Sequence, residues 1–268
     1  MKANKIMTGL TLGVLGVVAF APSALAASAD SQTTDGKVTI TAGTDPTFEG
    51  FIKPGTYNDK IGMDATYGKN GSTTATLRFN WVPNFDFGTV AATAYDQVID
   101  SKIHAYTYDD TSVGTGGNIY QFVQVQDMTG NASSNFKVNL SATTFADDPT
   151  SPTTSLTNTR IRLSGFTTTN NQQYNTTATN GSLLSALAIS GDYVELTPGS
   201  SYELMKTTTS TGNTSNGSVS SLVFNNAYAA ATDTTATTND QVQLFVPSNE
   251  MIAGNYSSTL TWSLDDTL

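Results

Sequence analysis

The chain contains no cysteine and only one histidine, His104. Without cysteine there is no disulfide, no thiol nucleophile and no Cys-ligated metal, so packing alone must hold the fold. One histidine is too few for a conventional His-rich zinc site. His104 stands in an alternating stretch typical of a strand, where we interpret it as a packing or surface residue. The sequence therefore predicts neither a metal nor a cofactor.

Basic residues are also scarce. Lys and Arg together number 12 against 22 Asp and Glu, which gives a formal net charge of −10. A chain this acidic is a poor candidate for binding nucleic acid, because the phosphates demand Lys and Arg. The acidity mainly keeps an exposed protein soluble.

Familiar catalytic patterns are missing. There is no G-x-S-x-G elbow, P-loop, EF-hand loop or dinucleotide fingerprint. Ser134 and Lys137 formally match S-x-x-K, but they enter a predicted strand instead of a helical turn, so we interpret the match as chance. The adjacent pairs Asp109-Asp110, Asp147-Asp148 and Asp265-Asp266 point to opposite faces of a strand and suit solvated turns. We expect no enzyme, although two distant carboxylates of a glycosidase remain an alternative.

Long hydrophobic runs are limited to the start of the chain. Residues 6–20 are almost wholly apolar or small, Lys2 and Lys5 precede them, and Ala24-Leu25-Ala26 offers a small-x-small cleavage site. The run is shorter than the ~20 residues that a membrane-spanning helix needs. We therefore predict a signal peptide over residues 1–26 and no membrane insertion once it is removed. Loss of its two lysines makes the net charge −12.

What is abundant favours an all-β fold. Roughly one residue in six is Thr, whose branched side chain suits a pleated, half-buried surface, and Asn, Gly and Ser supply turns. Without a convincing internal repeat, residues 27–268 are predicted to form one β-sandwich or barrel-like domain with little helix. Alternation predicts about ten strands, at residues 38–41, 75–81, 103–108, 119–126, 136–142, 160–166, 193–196, 202–206, 219–224, 241–246 and 256–264.

The remaining stretches are predicted as connections. Residues 183–189, between two glycines, are the one helix candidate. Residues 147–158, 167–179 and 207–218 are polar and are predicted to be loops or linkers. Residues 119–126 are apolar enough for a central strand.

Two segments combine aromatic residues at unusual density. Residues 77–88 read Leu-Arg-Phe-Asn-Trp-Val-Pro-Asn-Phe-Asp-Phe-Gly, where Pro83 ends a strand and Asp86 and Gly88 suit the turn beyond it. Residues 253–264 read Ala-Gly-Asn-Tyr-Ser-Ser-Thr-Leu-Thr-Trp-Ser-Leu.

Together these segments resemble the WxL domain of Gram-positive surface proteins. In that family a V-P-N-F-D-F-G-like segment precedes two Trp-x-Leu motifs, and the second motif closes the chain in an A-G-x-Y-x-x-x-L-T-W-x-L strand. Trp262 and Leu264 match the second motif. Where the first is expected, this chain has Phe136-x-Val138, which keeps the i, i+2 arrangement but lacks the Trp. The resemblance spans essentially the whole mature chain, from residues 44–47 to the end.

The resemblance implies an exported protein attached non-covalently to peptidoglycan, at the cell wall and surface. It also implies association with partner surface proteins, including a membrane-anchored WxL-interacting protein. The last four residues form no L-P-x-T-G sorting signal or hydrophobic tail. We therefore expect retention by something other than covalent sorting.

The candidate binding residues follow from the same motifs. They are Trp262, Leu264, Phe136, Val138, Trp81, Phe85, Asp86 and Phe87. Trp262 and Leu264 point to one side of their strand, either into the core or onto an exposed surface where an aromatic ring stacks on sugars. Two alternatives stay open: an adhesin or complex subunit that binds a partner protein instead of the wall, and a carbohydrate-active hydrolase.

Overall fold

The structure is a computed structural model that describes Val38 and residues 41–42, 51–71, 75–174, 183–208 and 215–266. All of these except Val38 belong to one compact unit formed by residues 40–268. The strand predicted at residues 38–41 lies largely outside the described residues. Within the described ranges, no helix has the length and apolar character to cross a bilayer.

Strands dominate, and the prediction of an all-β fold is confirmed. In the described part of the chain, the helical elements are short 3₁₀ turns at Ala65–Tyr67, Asn171–Tyr174 and Ser248–Glu250. The strands are β1 Phe51–Ile52, β2 Lys60–Met63, β3 Gly68–Asn70, β4 Leu77–Pro83, β5 Gln97–Lys102, β6 His104–Tyr108, β7 Gly117–Ile119, β8 Phe122–Asp127, β9 Lys137–Ala142, β10 Phe145–Ala146, β11 Ser155–Leu156, β12 Arg160–Leu163, β13 Thr167–Asn170, β14 Leu184–Ala186, β15 Val194–Leu196, β16 Ser201–Thr207, β17 Ser218–Val223, β18 Thr238–Val246 and β19 Leu260–Asp265.

All described strand pairs are antiparallel. The sheet orders are β1-β2-β6-β7, β15-β12-β18-β5, β13-β17-β8-β4-β3, β14-β16-β9-β19 and the pair β10-β11. Adjacent strands are often far apart in sequence, so long-range pairing sets the topology. β9, for example, lies between β16 and β19.

The five-stranded sheet is covered on both faces. Successive residues of a strand point to opposite sides, and those of β8 and β17 enter two different hydrophobic clusters. Val123, Val125 and Leu222 join the larger cluster, which β9, β12, β16 and β18 also supply. Phe122 and Val223 join the smaller one, with residues of β1, β2, β6 and β7. The prediction that residues 119–126 include a central strand is therefore confirmed.

Three predictions of local structure are wrong. The loop expected at residues 147–158 includes strand β11, which pairs with β10. The helix expected at residues 183–189 is instead strand β14, which pairs with β16 and buries Leu184. An apolar run this short carries too little periodicity to separate helix from strand, and the neighbouring strand decides. The loop expected from Thr167 begins as β13, where the amide of Asn170 donates to the hydroxyls of Ser218 and Ser220.

Candidate functional site

Hydrogen bonds to Asp86 fix the conformation of the segment that follows β4. The Gly88 N–H donates to Asp86 Oδ1 at 2.7 Å, and Lys102 Nζ donates to Asp86 Oδ2 at 2.8 Å. The Lys102 backbone N–H also donates to the Asp86 carbonyl at 2.8 Å. The hydrogen bonds from Lys102 and Gly88 lower the pKa of Asp86. Gly88 has a φ of +70°, which favours glycine at this turn. Phe85 and Phe87 are thereby fixed against the larger core.

The closing strand β19 lies at the edge of its sheet, beside β9. Trp262 stands opposite Leu140, and Leu264 stands opposite Val138. Opposed residues share a face, so the Trp-x-Leu pair points to the core side of the sheet, where both residues are partly buried. The strand is shorter than the predicted 256–264, because residues 256–259 lie outside β19.

Phe224 connects the two aromatic segments. Its ring is fully buried and meets those of Phe85, Phe166 and Trp262 edge-on, at centroid distances of 5.4, 5.8 and 6.1 Å. Edge-to-face contacts of this kind add specific attraction to the burial of apolar area. The Phe-Asp-Phe segment and the closing strand are therefore parts of one packed cluster, although 177 positions separate Phe85 from Trp262.

Trp81 lies apart from this cluster. It is completely buried in the smaller core, 5.1 Å from Phe51 and 6.5 Å from Phe122 between ring centroids. Its indole Nε1 has no hydrogen-bond partner among the described residues. Phe136 and Val138 are also fully buried, in the larger core. For these three residues, direct contact with a ligand stays a prediction.

A groove of about 450 Å³ runs between the two motif segments, and we call it the motif groove. Residues 85–90 form part of its wall, and residues 250–258 form another part. Apolar side chains also line it, namely Ile99, Phe145, Leu156, Ile161, Leu244, Val246 and Leu260. Of the predicted site residues, Phe85, Asp86 and Phe87 line the groove. Trp262 supports it from behind through Phe224 and does not line it.

Glu250 is a buried carboxylate in the wall of the motif groove, with 7% of its surface exposed. Thr157 Oγ1, the Asn158 backbone N–H and Asn158 Nδ2 donate to its Oε1 at 3.2, 2.7 and 2.9 Å. Thr159 Oγ1 donates to its Oε2 at 2.8 Å. Burial acts to raise the pKa of Glu250, but the hydrogen bonds outweigh burial and the pKa is lowered. The side chain is therefore ionised at neutral pH.

Sequence reasoning missed Glu250 and Phe224. Neither lies in a motif, and an isolated Glu in a Pro-Ser-Asn-Glu stretch resembles any surface residue. The one available signal was the A-G-x-Y segment, which begins three residues after Glu250 and forms the same wall of the motif groove.

The remaining chemical candidates have structural explanations. His104 is 2% exposed and stacks on Tyr67 at 4.8 Å, and burial lowers its pKa to about 4, so it packs as a neutral ring. Lys137 belongs to strand β9, not to a helical turn over Ser134. In the ranges described, no three His, Cys, Asp or Glu side chains are grouped to hold a metal ion.

Comparison with known proteins gives one result. The family model for the WxL domain, described as surface cell wall-binding, matches residues 27–267. No match was found among curated proteins or among solved structures. The match covers most of the chain and agrees with the motifs that meet at the motif groove. The chain therefore belongs to the WxL-domain family of surface cell wall-binding proteins.

Proposed function

We propose that this protein is exported with loss of residues 1–26 and is held non-covalently at peptidoglycan through its WxL domain. It acts without catalysis, within a surface complex that includes a membrane-anchored WxL-interacting protein. Its family is a wall-binding surface family and not an enzyme family, which supports attachment to the wall and action without catalysis.

One observation carries the proposal. The two segments that carry the resemblance are far apart in sequence, yet residues of both line one groove. Pockets of several hundred Å³ with apolar linings and a few polar groups are the usual form of a ligand site. The motif groove is therefore our candidate for the wall contact.

The closing Trp-x-Leu motif supports this contact indirectly. Trp262 packs edge-on against Phe224, and Phe224 in turn packs against Phe85 in the groove wall. In our proposal Trp262 and Leu264 hold β19 and the groove in place. Stacking of a sugar ring on Trp262 is not required.

The test is a pull-down of the mature protein on purified, protein-free cell walls. Ile252 lines the motif groove and is 53% exposed, so Ile252→Glu leaves the core intact and puts a charge at the contact. We expect this variant to lose roughly fivefold or more of the wall-bound fraction, as for an interface anchor. Val113→Glu is the matched control, because Val113 is 49% exposed and does not line the motif groove. Failure of the unmodified protein to bind walls would contradict the proposal.

A second candidate, an adhesin or complex subunit that binds a partner protein, is favoured by one surface feature. Val90 and Ile252 both line the motif groove and expose 40% and 53% of their surfaces. Exposed apolar side chains at a groove are typical of protein–protein contacts. Binding to the ectodomain of the membrane-anchored partner, without binding to walls, would select this candidate.

A further inference from the structure

The charged side chains that line the motif groove are all acidic. Asp86 and Glu250 are its only ionisable acids among the described lining residues, and no Lys, Arg or His lines it. Most of the other lining side chains are apolar or small. A ligand that fits such a groove carries aliphatic groups and a positive charge.

The two carboxylates are not equivalent. Asp86 is neutralised locally, because Lys102 Nζ lies 2.8 Å from its Oδ2. Glu250 has only neutral donors around it, and no cation pairs with it within the described residues. Its Oε2 accepts a single hydrogen bond, from Thr159, although a carboxylate oxygen has two acceptor sites. Glu250 is therefore an ionised carboxylate with capacity for one more donor.

The walls of the motif groove also offer free backbone. Residues 89–92 and residues 253–255 are exposed. No hydrogen bond within the described part of the chain reaches their backbone groups. These residues belong to no strand, and their exposed N–H and C=O groups are available to hydrogen-bond with the backbone of a bound peptide. A sugar chain has no alternating N–H and C=O groups with which to bond to them.

From these features we infer that the motif groove binds a short extended peptide with a primary ammonium group on an aliphatic side chain, and that Glu250 receives the ammonium. This deepens the proposed function and rests on it, because short peptides carrying a diamino acid are the peptide component of peptidoglycan. The aliphatic stem packs on the apolar lining, while the backbone of residues 89–92 or 253–255 pairs with the peptide backbone.

The test uses disaccharide peptides released from purified walls by a muramidase, and the same peptides with their free amines acetylated. For the unmodified protein we expect acetylation to weaken binding by about tenfold or more, as the charge-assisted bond is lost. Glu250→Gln should weaken binding of the amine-bearing peptide by a similar factor. It should not weaken binding of the acetylated peptide further.

Glu250→Gln is designed to keep the fold. Its Oε1 still accepts from Thr157 and Asn158, and its amide nitrogen faces the Thr159 hydroxyl, which is able to accept as well as donate. The matched control is Glu203→Gln, the same charge change at an exposed ion pair with Lys206. An unchanged far-ultraviolet circular dichroism spectrum and melting temperature establish that each variant is folded.

The outcomes separate the two proposals. If walls are bound but neither acetylation nor Glu250→Gln matters, the inference about the ammonium is overturned and the proposed function stands. If glycan strands without peptides bind as tightly as the amine-bearing peptides, the inference about the ammonium is likewise overturned. Tight binding only to a lysine-bearing protein partner also overturns that inference. If purified walls are not bound at all, the proposed function itself fails.

Discussion

The chain has the same two-residue pattern on two neighbouring strands, with different surroundings. Val138 lies within the inner strand β9, and Phe136 immediately precedes that strand. Both side chains are fully buried. Trp262 and Leu264 lie on β19, the edge strand, and both keep part of their surface in solvent. Leu264 and Val138 face each other directly across the two strands. The two pairs therefore pack side by side on the core face of one sheet.

The comparison shows that the position of a strand in its sheet decides how deeply its motif residues are buried. β9 has neighbours on both sides, so its side chains are enclosed whichever aromatic residue is present. β19 has a neighbour on one side only, so its side chains complete the core and still border the surface. Phe136 is fully buried, so a Trp in its place would mainly change the volume that the core has to accommodate.

The largest expected effect is the truncation of the inner aromatic residue. Phe136→Ala should lower the free energy of unfolding by about 3–5 kcal/mol, because a fully buried ring is removed and a cavity remains. Trp262→Ala should cost less, about 2 kcal/mol, since part of that ring is already in water. Equilibrium denaturation with urea measures both. A larger loss for Trp262→Ala than for Phe136→Ala would reverse the comparison.

Placing a Trp at the inner position has the next largest effect. Phe136→Trp should destabilise by about 1–3 kcal/mol, because the neighbours of position 136 are packed around a phenyl ring and a larger ring forces them apart. The expected result is a lower denaturation midpoint with an unchanged m-value. Equal or higher stability would mean that position 136 has room for an indole, and that its Phe reflects something other than packing.

The sequence predicted those features that depend on local residue patterns, and it missed those that depend on long-range pairing. β9 has clear alternation and lies where the pattern predicts it, and β4 and β17 lie close to their predicted positions. The predicted alternation of β4 is interrupted by a register shift between Phe79 and Trp81, which places Trp81 in the smaller core. The two motif segments, residues 77–88 and 253–264, were recognisable together as a family pattern. β14 was mistaken for a helix because its conformation depends on pairing with β16, which no local pattern contains.

The candidate site was harder to predict than the fold for the same reason. Phe85 and Asp86 stand in a recognisable segment, so sequence reasoning found them. Glu250 acquires its role only from donors about 90 residues earlier, at positions 157–159. Phe224 joins the motifs through tertiary contact alone. Neither feature leaves a trace in local spacing or composition.

The smallest expected effect comes from the opposite face of the edge strand. Ser263 is exposed and stands opposite Asn139, on the side of β19 that does not carry Trp262. Ser263→Ala should change the free energy of unfolding by no more than about 0.5 kcal/mol and leave wall binding intact, because it removes no buried group. Denaturation and wall pull-down on the same preparation measure both quantities. If binding is lost while stability is kept, the solvent face of β19 is the wall contact, and the closing motif acts by presenting that face instead of by supporting the motif groove.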